Sequence, residues 1–153
     1  MLAEAEFAGE SIRALSPQVC EILSGSDADV RTRPAPNVWS QLEYGCHLRD
    51  VLLVQRERVL GARRASGAPC TPMGRDERVE HDGYSEQDPL DVARQVGDAA
   101  LMFTNVLARL ADEDWDRTVV YNYPEPAERT LRWVALHTAH EVQHHLRDMR
   151  GVG

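Results

Sequence analysis

Lysine is absent from this chain: all 17 basic residues are arginine, set against 25 acidic ones for a net charge of −8 and a pI near 5.2. Such a composition supplies no basic face for a phosphate backbone, which argues against a nucleic-acid partner. Long hydrophobic runs are missing too. No apolar stretch approaches the roughly 18–20 residues of a membrane span. The opening residues, MLAEAEFAGES, have neither the basic start nor the apolar core of a secretory signal. A cytoplasmic protein with no membrane partner is the expectation. Cysteine is scarce: Cys20, Cys46 and Cys70 are odd in number and far apart, which excludes a disulfide framework and a C-x-x-C metal knuckle. The glycines are dispersed, so there is no phosphate-cradling loop, and no G-x-S-x-G elbow is present. Repeats and low-complexity tracts are also lacking.

What is there reads as helix. The 153 residues, 42% hydrophobic, are taken as one domain spanning 1–153, able to bury about two-thirds of its unfolded surface. Residues 3–24 carry Phe7, Ile12, Leu15, Val19, Ile22 and Leu23 at helical intervals; Ser16 before Pro17 suggests two short helices or a kink, with Ser24, Gly25 and Ser26 as the stop. A connector over 25–37 leads to a second helix from Val38 to about Arg64, with Asn37 as its cap and apolar residues most of the way round. Residues 65–87 read as a long surface loop; the alternative is a lid carrying His81, Asp82 and Tyr84 to the mouth of a site. Asp88 and Pro89 open a third helix running to about Ala111. Thr118 to Tyr123 reads as extended, and Pro124 and Pro126 prolong the connection to a last helix beginning near Thr130. Four helices without a convincing sheet predict an all-α four-helix bundle.

The last helix holds the chemistry. His137, His140, His144 and His145, four of the six histidines, share it with Glu141 and Asp148. At about 100° per residue, His137, Glu141, His145 and Asp148 fall on one side, with His140 and His144 further round. Two ligand registers compete. H-E-x-x-H at His140, Glu141 and His144 would place two imidazoles on zinc with the glutamate as base, but only nine residues follow to supply a third ligand. Glu141 and His145, at i and i+4, could instead take a third ligand from a facing helix. His47, in the second helix, is placed to provide it. Cys46 beside His47 diverges from it by about 100°, so it reads as core rather than as a nucleophile. Asp50, one turn on from His47, reads as an outer acceptor or as an arginine's partner.

W-S-x-x-E-Y-x-x-H-x-x-D at Trp39 to Asp50, followed downstream by H-E-x-x-H-H-x-x-D at His140 to Asp148, resembles the DinB-like superfamily. That family includes bacillithiol transferase-like proteins and mycothiol-dependent maleylpyruvate isomerase. The resemblance covers about Ser16 to Arg150. It implies an up-down-down-up four-helix bundle with a metal held by one ligand from the second helix and two from the last. Many members use three histidines; the His, Glu, His set of the mycothiol-dependent isomerase falls here on His47, Glu141 and His145.

The resemblance further implies a divalent ion, zinc first with nickel or another as alternatives, and a low-molecular-weight thiol activated on it to attack a small electrophile. The arginine-for-lysine bias suits a GC-rich genome, which makes mycothiol the thiol of choice. Such bundles commonly pair as homodimers. Two other classes stand beside the thiol transferase or isomerase. One is a non-catalytic metal binder or stress-response protein; the other is a metal-dependent hydrolase using the HEVQH segment or Glu141 as base.

Overall fold

The computed structural model describes residues 2–25 and 29–151; positions 26–28 of the expected connector, including Ser26 of the expected helix stop, lie outside the described residues. Among the described residues, six α-helices and three short strands follow in order. They are α1 (Leu2–Glu6), α2 (Ala8–Ser24), α3 (Gln41–Arg64), β1 (Ala68–Pro69), α4 (Arg75–His81), α5 (Pro89–Ala108), β2 (Thr118–Tyr121), β3 (Ala127–Thr130) and α6 (Leu131–Met149). No helix among the described residues is long and apolar enough to cross a membrane.

The bundle is α2, α3, α5 and α6, and its side-chain bonds fix its directions. Arg13 on α2 reaches Thr104 on α5 (3.0 Å) and Cys20 reaches the carbonyl of Ala93 (3.0 Å), so those helices run antiparallel. Gln41 bonds to the carbonyl of Met149 (2.9 Å) and Gln55 to Thr138 (3.0 Å), so α3 and α6 are also antiparallel. Cys46 lies against Tyr84, ahead of α5, and Arg49 against Gln95 (2.8 Å), so α3 and α5 run the same way. The order is up-down-down-up. Ile12, Val19, Leu42, Leu52, Phe103, Leu131 and Val134 form the shared core.

Parallel neighbours require a chain that returns the length of the bundle, and residues 65–88 do this. The expected loop is in fact structured: it holds β1, α4 and a 3-10 turn at Tyr84–Glu86. Tyr84 is fully buried. Nor is the chain free of sheet. β1 pairs in parallel with β2, and β2 antiparallel with β3, over Ala68↔Val119 and Val120↔Glu128 among other pairs. These strands of two to four residues are too short for alternation to identify them, although Val119 and Tyr121 do face inward.

The helix starts also differ. The break near the N-terminus falls at Phe7, and α2 runs through Pro17; the packing of Ile12, Val19 and Leu23 offsets the backbone bond that proline removes. α5 stops at Ala108, three residues early, before a 3-10 turn at Asp112–Asp116. Ser40, not Asn37, caps α3. Its hydroxyl accepts from the Glu43 N–H (3.1 Å) while Glu43 accepts from the Ser40 N–H (3.0 Å), the reciprocal S-x-x-E capping box. Arg33 donates to both Glu43 oxygens, at 2.9 and 2.6 Å.

Burial would raise the Glu43 carboxyl, but Arg33 and Ser40 together hold it below the ordinary value. Because the folded value is the depressed one, this stabilisation is complete above the unfolded value of about 4.3 and fades as pH falls through the folded one. Glu43→Gln should therefore lose less stability than the wild type between about pH 5 and pH 3 in denaturant titrations. Identical pH slopes for the two proteins would contradict that coupling.

Candidate metal centre

His47 sits in the second turn of α3 and faces α6. It is 2% exposed, and neither ring nitrogen meets a hydrogen-bond partner among the described residues. Trp39 packs edge-on against it at 5.1 Å and the His145 ring crosses it at 4.8 Å. A fully buried imidazole with two idle nitrogens is costly unless something satisfies them. Burial above all, with His145 and Arg75 adding to it, pushes its pKa down to about 3, so the ring is neutral and offers a lone pair.

Helical spacing places the other donors. His145 Nε2 is 3.2 Å from Glu141 Oε2, one turn back, and His145 Nδ1 is 3.1 Å from Asp148 Oδ2, one turn on. Both nitrogens of this ring thus face carboxylates. With Nδ1–H donating to Asp148, Nε2 points at the Glu141 carboxylate, where either a ring proton or a metal cation can bridge the two. The bond from His145 is the main cause that holds Glu141 down to about 2, against burial, so it is a carboxylate at neutral pH.

Ligand atoms of His47, Glu141 and His145 all lie within 4.8 Å of one another. Two imidazoles and one carboxylate suit a borderline divalent ion, and the donor set fits such a group. A second cluster, His144, His145 and Asp148, shares His145 and uses the exposed His144, so it is no independent centre.

The H-E-x-x-H register does not assemble. His140 is exposed, His144 is 67% exposed at its side chain, and His140 joins no ligand cluster among the described residues. His137 is placed differently: it stacks on Trp133 (4.6 Å, 9° between planes) with Nε2 4.0 Å from Glu141. Burial, foremost, lowers its pKa.

Asp50 faces away from the three candidate ligands. It accepts from the Tyr84 hydroxyl at 2.5 Å and Arg49 Nε at 2.9 Å, with Arg78 at 3.4 Å, so it is the arginine partner rather than the outer acceptor. That role belongs to Asp148. Cys46 is in the core, where burial pushes its thiol up to about 12 and leaves it inert. Of the expected lid residues, His81 is exposed, Asp82 pairs with Arg49 (3.1 Å) and Tyr84 is buried beneath Asp50. The returning segment does reach the site, but through Pro72 to Glu77.

A cavity of about 480 Å³ opens beside these three candidate ligands, His47, Glu141 and His145. Beyond the ligands its walls include Gln55 and Arg58 of α3, Tyr121 and Tyr123 of the hairpin, Met73 and Arg75. Gly74, at φ +68°, turns the chain into α4 at this wall; a side chain there would be strained and its Cβ would lie 3.0 Å from Glu77. The cavity residues were legible in part. His47, Val51, Gln55 and Arg58 recur at intervals of three and four along one helical stripe.

The family model of the DinB superfamily matches residues 9–149. No curated protein sequence matches the chain. Among solved structures, YfiT from Bacillus subtilis superposes with a TM-score of 0.79 at 17% identity, over 98% of this chain and 84% of that one. YfiT is described as a probable metal-dependent hydrolase with an unusual four-helix bundle topology.

Proposed function

The chain belongs to the DinB superfamily, and on that premise we propose that it binds one divalent ion through His47, Glu141 and His145. We further propose that it uses the ion to activate a small thiol against an electrophile held in the adjoining cavity. The observation that carries the reading is the buried His47, with no partner for either nitrogen among the described residues, facing the Glu141–His145 pair. Three protein donors leave positions open for exchangeable ligands, as catalytic rather than structural sites do. When bound, the ion supplies Lewis acidity that turns a thiol into a thiolate near neutral pH.

The chain's own residues do the rest. Asp148 orients the His145 ring, Tyr44 packs against that ring, and Trp39 packs against His47. His137, kept neutral by burial and near Glu141, can accept a proton from an entering nucleophile. That placement also favours a second reading in which water replaces the thiol. It agrees with what is said of YfiT.

One assay separates them. Zinc-loaded protein with mycothiol and 1-chloro-2,4-dinitrobenzene should form the thioether and release chloride above the uncatalysed rate, and chelator should abolish the excess. Metal-dependent cleavage of a nitrophenyl ester that needs no thiol would instead establish the hydrolase. Neither activity in the loaded protein would leave a metal binder without catalysis.

A further inference from the structure

Two donors in the cavity wall await an acceptor. Arg58 is half-buried on α3, eleven residues and about 16 Å along the helix from His47. Its guanidinium is held by neutral groups only: NH1 donates to Gln55 Oε1 (3.0 Å), NH2 to the carbonyl of Thr71 (2.7 Å), and the plane lies 5.1 Å over the Tyr121 ring. No carboxylate among the described residues forms an ion pair with it, although acids outnumber arginines in the chain. The same Gln55 donates through Nε2 to the Tyr121 hydroxyl (3.0 Å) and to Thr138 (3.0 Å). Tyr121 is 7% exposed, and its own O–H meets no acceptor among the described residues. Gln55 therefore fixes a charged fork and an idle phenol beside each other, both lining the cavity that the metal ligands share.

We propose that Arg58 and Tyr121 form a carboxylate-binding subsite, so that the small molecule engaged at the metal end of the cavity carries an anionic group at its far end. The fork geometry of arginine matches a carboxylate, and a phenolic O–H adds a third donor. The remaining cavity acids do not compete: Glu141 belongs to the ligand cluster, and Asp76 and Glu77 are exposed on α4. This subsite rests on the metal reading for its partner group but not for its own donors.

The test uses straight-chain ω-mercaptocarboxylates of increasing length and the matching ω-mercaptoalcohols, titrated calorimetrically into zinc-loaded and metal-free protein. In the wild type the best-fitting carboxylate should bind about tenfold or more tighter than its alcohol. Arg58→Gln should erase that preference while leaving the alcohol's affinity and the metal content unchanged. Arg58→Lys should restore part of it, and Tyr121→Phe should weaken it. Equal affinities for acid and alcohol in metal-loaded wild type would overturn the subsite and leave the metal centre standing. A preference that persists in protein unable to take up zinc, and falls with Arg58→Gln, would uphold the subsite while the metal reading fails.

Discussion

A His47→Leu variant should lose stoichiometric divalent metal and yet, in chelator, withstand more urea than the wild type. The two effects share one cause. His47 is buried with both nitrogens unpartnered among the described residues, and an unsatisfied buried polar group costs about 1–3 kcal/mol. Leucine has comparable bulk and nothing to satisfy, so the metal-free bundle gains stability. Saturating metal reverses the order: an ion at a thousandfold excess over its Kd stabilises the native state by about 4 kcal/mol, a gain available only to the protein that binds it. Urea midpoints with and without chelator, beside elemental analysis of both proteins, give the comparison. A variant that retains one metal per chain, or that chelator weakens as much as the wild type, would remove His47 from the site.

Truncating Asp50 should do the opposite, costing stability without removing metal. The carboxylate is 6% exposed and accepts from Tyr84, Arg49 and Arg78 on two separate segments of the chain. Removing one member of a buried charge pair leaves the others uncompensated, and Asp50→Ala should cost about 3–5 kcal/mol in urea unfolding. Asp50→Asn keeps the shape and one acceptor, and should fall between. Metal content should stay at wild-type level in both. Loss of metal from a protein of undiminished stability would instead place Asp50 beside the ligands.

These two residues, one turn apart on α3, show what sequence can and cannot deliver. The helices announced themselves through apolar spacing and through Asp88–Pro89. His47, Glu141 and His145 could be paired because helical geometry puts the latter two on one face and a bundle brings α3 to it. The rival H-E-x-x-H match failed on exposure, which a string of letters does not carry. Asp50 shared a helical face with His47 on paper, but its partners come from a segment whose fold is set by long-range contacts. Tyr84 looked isolated among polar neighbours because burial there is imposed by α3, through Cys46, Arg49 and Asp50, not by local pattern. Ser40 and Glu43 were different: the S-x-x-E signature was present in the letters, and Asn37 merely stood nearer the proline-rich connector.

The strand pairing joins two pieces that are remote in sequence. β1 lies in the chain returning from α3 to α5, β2 in the hairpin between α5 and α6, and the two are bonded at Gly67–Thr118 (2.8 Å) and Cys70–Val120 (2.9 Å). One seam therefore fastens together the parts of the cavity that the ligand-bearing helices do not supply. Lineages that lengthen or recompose these two connections can reshape what enters while the helical surfaces bearing His47, Glu141 and His145 stay constant, which makes these connections the cavity's most evolvable wall.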